Sequence, residues 1–175
     1  SEIHTNKIWQ QVRCIEYVNQ MPIIQFRQPG VEADDVISYV KSLPIFTDWQ
    51  KVIVSSDKDF IQLLDDRTLL MRPTQEQILN TSRVLSEHSI HPRNFALARS
   101  MVGDKSDNID GLQGVGLKTV AKAFQFLAED EDHYLTDLKE YSQTVESKLT
   151  IYNKVLEDYK KVCDNYSIMQ LSTPL

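Results

Sequence analysis

Residues 51–55, Lys51-Val52-Ile53-Val54-Ser55, constrain this chain more than any other stretch. The run is apolar and β-branched without alternation, which is how a buried strand of a parallel sheet reads. Elements of the other kind flank it. Val36, Val40 and Leu43 carry a helical pattern up to Pro44, and Phe60, Leu63 and Leu64 predict a short helix after the strand. Residues 67–71 and 76–79 read as a strand pair around Pro73, and Ile23-Ile24-Gln25-Phe26 as one more short strand. Strands and helices that alternate in this way predict an α/β sheet layer.

The rest of the chain is helical in pattern. Ile8, Val12, Ile15 and Val18 mark one face of a first helix over about residues 4–20, which Pro22 stops. Thr81 is placed to cap a helix, and Pro92 suits the first turn of the next. Residues 104–116 are a loop rich in Gly and Asp, and helix resumes at Leu117. Val145, Leu149, Tyr152, Leu156, Tyr159 and Tyr166 predict one long final helix. Its tyrosines suggest base stacking, but such a stripe is far more often a packing face. The expected organisation is therefore an α/β layer over residues 1–80 and a helical subdomain over residues 81–175.

A chain of 175 residues with 41% hydrophobic content can bury one core, with at most a small appendage. No apolar run reaches membrane-spanning length, and the first residues are not a signal peptide. Two cysteines, Cys14 and Cys163, make no disulfide framework, so a reducing cytoplasm is the expected compartment. The sequence opens at Ser1 almost inside a helical pattern, which suggests a piece of a longer polypeptide. The net charge of -6 argues at first against nucleic acid. Seven of the acids, however, lie in three short motifs, and without those seven the remainder stands at +1.

The first motif is Gly30-Val31-Glu32-Ala33-Asp34-Asp35. Acid at a helix start is common, because the dipole favours it, so alone this motif says little. The second, Ser55-Ser56-Asp57-Lys58-Asp59, directly follows the best strand. Ligand sites of open α/β sheets lie at such carboxyl ends. If the backbone stays extended there, Asp57 and Asp59 point to one side; alternatively Asp57 only caps the next helix. The third, Gly103-Asp104-Lys105-Ser106-Asp107-Asn108, ends a helix containing Phe95 and Met101, where the dipole disfavours carboxylates. A bound cation is a good reason for them. Oxygen ligands alone select Mg²⁺ or Mn²⁺ over zinc, and two such ions suit phosphodiester hydrolysis. His4, His88, His91 and His133 show no ligand spacing.

Residues 111–119, GLQGVGLKT, give a helix–hairpin–helix-type signal. Gly114 and Gly116 permit positive φ and close backbone approach. The helix that follows offers free amides to a phosphate, with Lys118 at its mouth and Lys122 one turn on. Contacts of this kind grip backbone and not bases. A dinucleotide-binding loop needs a preceding strand and the pattern G-x-G-x-x-G, and neither is present. A plain helix-joining loop is the remaining alternative.

With GVEADD, SSDKDFIQLL and GDKSDNIDGLQGVGLKT in this order, the chain resembles the 5′–3′ exonuclease and flap endonuclease family over about residues 20–130. The likeness is greatest to the small bacteriophage members, phage RNase H among them, and to the 5′ nuclease domain of DNA polymerase I. It implies a PIN-like α/β nuclease fold with a helix–three-turn–helix DNA-binding element. It implies a tighter metal position at Glu32, Asp34, Asp35 and Asp57 and a looser one, partly through water, at Asp59, Asp104 and Asp107. It implies duplex contacts at Gly111, Gly114, Val115, Gly116, Lys118, Thr119 and Lys122, with a K⁺ on the carbonyls of residues 111–116. The implied activity is Mg²⁺- or Mn²⁺-dependent cleavage near 5′ ends of flaps, nicked duplexes or RNA primers. A polymerase or a single-strand-binding protein is the implied protein partner. The family also begins with a metal-binding strand and a basic helical arch; residues 1–21 resemble only the helix after that arch. This segment alone is accordingly expected to cleave weakly or not at all. The rival expectations are a non-catalytic DNA-binding module, and a PIN-type ribonuclease without a duplex grip, which residues 114–119 disfavour.

Overall fold

The structure, a computed structural model, describes residues 2–171, with side chains from residue 5 onward, so the His4 side chain lies outside the described residues. The chain divides into two compact units, residues 1–36 and residues 37–175. The first holds α1 (Glu2–Val18) and the start of α2 (Ala33–Ser42). Helix α1 ends as the sequence predicts, a few residues before Pro22. The expected strand at residues 23–26 is absent: these residues pair with nothing in a ladder among the described residues, and Ile24 and Phe26 are 83% and 69% exposed. A strand is stable only with a partner to take its amides and carbonyls, and propensity does not supply one.

In the second unit, β1 (Lys51–Val54), β2 (Thr68–Arg72) and β3 (Gln77–Leu79) form a sheet in the order β1-β2-β3. Strand β1 runs parallel to β2, with Val52 beside Leu69 and Val54 beside Met71; β2 and β3 are antiparallel. Parallel pairing agrees with the β-branched run, but burial on both faces does not. Among the described residues strand β1 has one ladder neighbour, so within them it is an edge. Ile53 faces the core, whereas Val52 and Val54 are 53% and 62% exposed. The covered face carries Ile53, Leu70 and Leu79 against a core continued by Phe60, Ile61, Phe95 and Met101.

Helices α3 (Thr81–His88), α4 (Phe95–Val102), α5 (Leu117–Ala123), α6 (Leu135–Thr144), α7 (Ile151–Glu157) and α8 (Tyr159–Met169) complete the unit. Asn80, not Thr81, caps α3: it is the extended residue just before the helix (φ −131°, ψ 175°), and its side chain accepts the Arg83 amide at 2.9 Å. Pro92 opens a 3₁₀ turn just before α4. The single long final helix expected from Val145 onward is instead two, α7 and α8: residues 145–150 are not helical, and the chain bends at Asp158 (φ −104°, ψ 23°). No Gly or Pro marks either break; packing decides them. The tyrosine stripe is core: Tyr152 and Val155 are buried, and the Tyr152 hydroxyl donates to the Ala123 carbonyl at 2.8 Å. His88 and His133 stack on Phe95 and Phe126, and His91 accepts the Arg93 amide, so all three serve the fold. Cys14 and Cys163 are both free thiols. Among the described residues no helix is long and apolar enough to cross a membrane.

Candidate metal centre and duplex-binding loop

Beyond Val54 the chain turns instead of staying extended. The Ser55 hydroxyl accepts the Asp57 amide at 3.1 Å, and Asp57 Oδ1 accepts the Asp59 amide at 2.9 Å. Serine and aspartate compete with a strand ladder in just this way, by bonding nearby backbone. Lys58 takes helical angles, and a 3₁₀ turn runs from Asp59 to Leu63. The expectation that Asp57 and Asp59 share one side of an extended strand is thus corrected. Asp57 is exposed and caps the turn; Asp59 is drawn inward by the buried Phe60, Ile61 and Leu63.

Across from it, α4 ends at Gly103 and a two-residue ladder follows, β4 (Gly103–Asp104) against β5 (Ile109–Asp110). The tip between them holds Asp107, with Asn108 at φ 59°. This hairpin and the 3₁₀ turn bring one oxygen each of Asp59, Asp104 and Asp107 within 4.8 Å of one another. Asp104 is fixed by Ser106, whose amide (2.8 Å) and hydroxyl both donate to Oδ1.

One residue of this centre escaped the sequence reading. Arg99, from α4, is 9% exposed. Its Nη2 reaches Asp59 Oδ1 at 3.4 Å and pairs with Asp104 Oδ2. Its Nε is buried with no partner among the described residues. The available signal was a lone cation inside the apolar helix FALARSMV, five residues before Asp104.

The two carboxyls that share Arg99 are held at different acidities. Burial pushes Asp59 up to about 6; Arg99 opposes this, and Asp57, Asp104 and Asp107 push it further. Asp104 is held below the usual carboxylate range, first by the Ser106 hydroxyl. Three carboxylates and one guanidinium leave two negative charges when all are ionised, and oxygen donors without Cys or His fit a hard divalent cation.

Glu32, Asp34 and Asp35 belong to the other compact unit. They stand together at the start of α2: Gly30 takes φ 76°, the Glu32 carbonyl accepts the Val36 amide, and Asp34 and Asp35 lie in the first turn.

In the glycine loop, Gly114 has positive φ (70°), as expected, but Gly116 is extended (φ −124°). Gly116 serves as the N-cap of α5, where its carbonyl accepts the Thr119 and Val120 amides at 2.9 and 3.0 Å. Lys118, Thr119 and Lys122 are exposed, and Val115 is half-buried against the core. Gly111 packs on the end of α4, where an added Cβ would lie 2.0 Å from the Val102 carbonyl oxygen. From α7, the Lys154 ammonium donates to the Gln113 carbonyl at 2.6 Å, a second cation at the loop that the sequence did not single out.

Residues 4–89 match the family model of the 5′-3′ exonuclease, N-terminal resolvase-like domain. The chain is 34% identical over 99 residues to a 5′-3′ exonuclease of Aquifex aeolicus, covering 57% of this chain and 34% of that protein. It is 31% identical over 144 residues to DNA polymerase I of Caldicellulosiruptor bescii, covering 79% of this chain and 17% of the polymerase. It therefore spans about a third, or less, of these curated relatives. A bacteriophage T5 flap endonuclease, solved as a pseudo-enzyme–product complex with DNA and metal ions, superposes with a TM-score of 0.79 at 18% identity, covering 98% of this chain and 61% of that one. A T5 5′-exonuclease bound to zinc ions gives the same TM-score at 19% identity, with 98% and 61% covered. Over residues 4–89 the chain matches the 5′-3′ exonuclease N-terminal domain, and it shares the α/β fold of these phage nucleases.

Proposed function

We propose that the protein carrying this chain is a divalent-metal-dependent 5′ nuclease, cutting phosphodiesters near 5′ ends of flaps, nicked duplexes or RNA primers. The observation that carries this reading is the meeting of Asp59, Asp104 and Asp107 oxygens within 4.8 Å. The single Arg99 guanidinium balances only one of these three negative charges, and the two left over favour a further cation. These three would hold one Mg²⁺ or Mn²⁺; Glu32, Asp34 and Asp35 on the one unit, and separately Asp57 on the other, are our further candidate ligands. When bound, the ions supply Lewis-acid stabilisation of charge on the phosphate and lower the pKa of water. Ser106 keeps Asp104 ionised and aimed.

The relatives' names support the reaction, and the DNA of the T5 complex supports the substrate class. We assign residues 1–80 to the nuclease core and residues 81–175 to the helical part with the duplex grip, a helix–three-turn–helix element. The proposed centre would then draw Asp59 from the first and Asp104 and Asp107 from the second. A K⁺ on the loop carbonyls of residues 111–116, and a polymerase or single-strand-binding protein as partner, complete the proposal. The test is cleavage of a 5′-flap duplex by the whole protein: product with Mg²⁺ or Mn²⁺ and none in EDTA. Duplex binding with no cleavage under any divalent ion would leave a DNA-binding module instead.

The grip has its own test. Lys118 is exposed at the first turn of α5, where the Leu117 and Lys118 amides take no backbone carbonyl among the described residues. Lys118→Ala should weaken duplex binding equally for all sequences and lower the salt slope by about one, as one lost phosphate contact does. Fluorescence anisotropy at several salt concentrations measures it. An unchanged slope in a folded variant would remove Lys118 from the interface.

A further inference from the structure

We infer that Arg99 is the resident counter-ion of the Asp59–Asp104–Asp107 cluster, occupying two of its carboxylates and holding its divalent-cation affinity down. The inference rests on the metal reading above. Arg99 rises from α4, whose residues 95–101 are all buried, and is itself 9% exposed, whereas Lys118 lies open to solvent. Its two ion pairs both end on the cluster, at Asp59 Oδ1 and Asp104 Oδ2. Both oxygens of Asp104 are thereby engaged, one by Arg99 and one by Ser106. The Nε is buried with no partner among the described residues, so the ion pairs of this guanidinium described here are those to the two carboxylates.

Two consequences follow from charge alone. Without a divalent ion the guanidinium screens three carboxylates that would otherwise repel one another, so the hairpin tip and the 3₁₀ turn stay together. When a cation enters, the same guanidinium opposes it and must release or share its oxygens. Arg99 is therefore a positioning residue: it keeps the site assembled but exchangeable.

The whole protein is titrated with Mn²⁺ and free ion is read by electron paramagnetic resonance, for wild type, Arg99→Met and Arg99→Lys. Losing an outer-shell partner that supports a ligand typically costs 10–100-fold in metal affinity; losing one that carries a positive charge against the ion acts in the opposite direction. Arg99→Met should bind the ion of this cluster about ten-fold more tightly than wild type, and Arg99→Lys, which keeps the charge, should remain near wild type. In EDTA, Arg99→Met should melt lower than wild type, and Mn²⁺ should restore it more steeply. Equal or weaker Mn²⁺ binding by Arg99→Met overturns the inference. So that it survives a variant that fails to fold, a second measurement uses wild type alone. The ¹⁵N guanidinium resonances of Arg99 should shift as Mg²⁺ is added; resonances indifferent to saturating Mg²⁺ overturn it as well. A wild type that binds no Mn²⁺ at all sinks the metal reading itself, which separates the two failures.

Discussion

Asp59→Asn should cut flap cleavage by the whole protein by at least about a hundredfold while making the metal-free protein more stable above pH 6. The two effects have one origin. Asp59 is pulled into a half-buried position by Phe60, Ile61 and Leu63, beside Asp104 and Asp107. Burial raises its pKa from 3.8 to about 6. A carboxyl whose folded pKa lies above its unfolded value contributes stability that is complete below the unfolded pKa. That stability is lost as pH rises through the folded value. Between about pH 4 and 6 the metal-free wild type should therefore lose stability that the asparagine variant keeps. At pH 7 in EDTA the variant should melt roughly 2–4 °C higher, the shift that about 1 kcal/mol gives a domain of this size. Asp104→Asn provides the opposite control. Its carboxyl is held below the usual range by Ser106 and Arg99, so its loss should lower both cleavage and stability. Calorimetry across pH in EDTA, paired with flap assays in Mg²⁺, reads both. A variant at residue 59 that is less stable than wild type at pH 7 would contradict the view that this carboxylate is held at a cost for the sake of a cation.

What the sequence disclosed depended on whether the signal was local. The parallel strand at residues 51–54, the strand pair around Pro73, and helices α1, α2 and α4 follow from runs whose neighbours in sequence are their reasons. The order of the three acidic motifs was legible for the same cause. The stretch 23–26 reads as a strand by propensity, but no ladder partner is present among the described residues, and that is not a local property. The break after α6 falls at Val145, a residue with no turn chemistry; only packing of Ile151, Tyr152 and Val155 explains where α7 begins. Arg99 was hidden because its role depends on Asp59, forty positions away in sequence. The turn at residues 55–59 was legible in principle, since serine and aspartate that bond nearby backbone amides are a known competitor of strands.

Gly111 gives the other large effect, and it separates fold from DNA contact at a residue first read as part of the duplex grip. A Cβ there would lie 2.0 Å from the Val102 carbonyl oxygen, 2.2 Å from its carbon and 2.7 Å from the Gly103 nitrogen. All three are backbone atoms, so no side chain can rotate aside. Gly103 is its counterpart: φ is 75°, and a Cβ would lie 2.4 Å from both the Gly111 nitrogen and the Ile109 oxygen. The close passage closes the β4–β5 ladder that carries Asp104 and Asp107, and the neighbouring Leu112 amide donates to the Met101 carbonyl at 2.8 Å. From α8, Asn165 Nδ2 ties the Ser100 and Asp110 carbonyls at 2.9 Å each, which leaves the loop no room to back away. Gly111→Ala should therefore cost about 4 kcal/mol or more, a large share of the 5–15 kcal/mol typical of a domain. Gly116→Ala is the internal comparison, because that residue is extended with nothing within 4 Å of an added Cβ. It should be near neutral, because the gain of about 0.5 kcal/mol through the unfolded chain offsets the preference of an N-cap for Gly over Ala. Urea unfolding of both variants decides the matter: a large fall in midpoint for Gly111→Ala beside an unchanged Gly116→Ala is expected. A Gly111→Ala variant as stable as wild type that nonetheless loses duplex affinity would return this glycine to the DNA interface and remove it from the support of the metal centre.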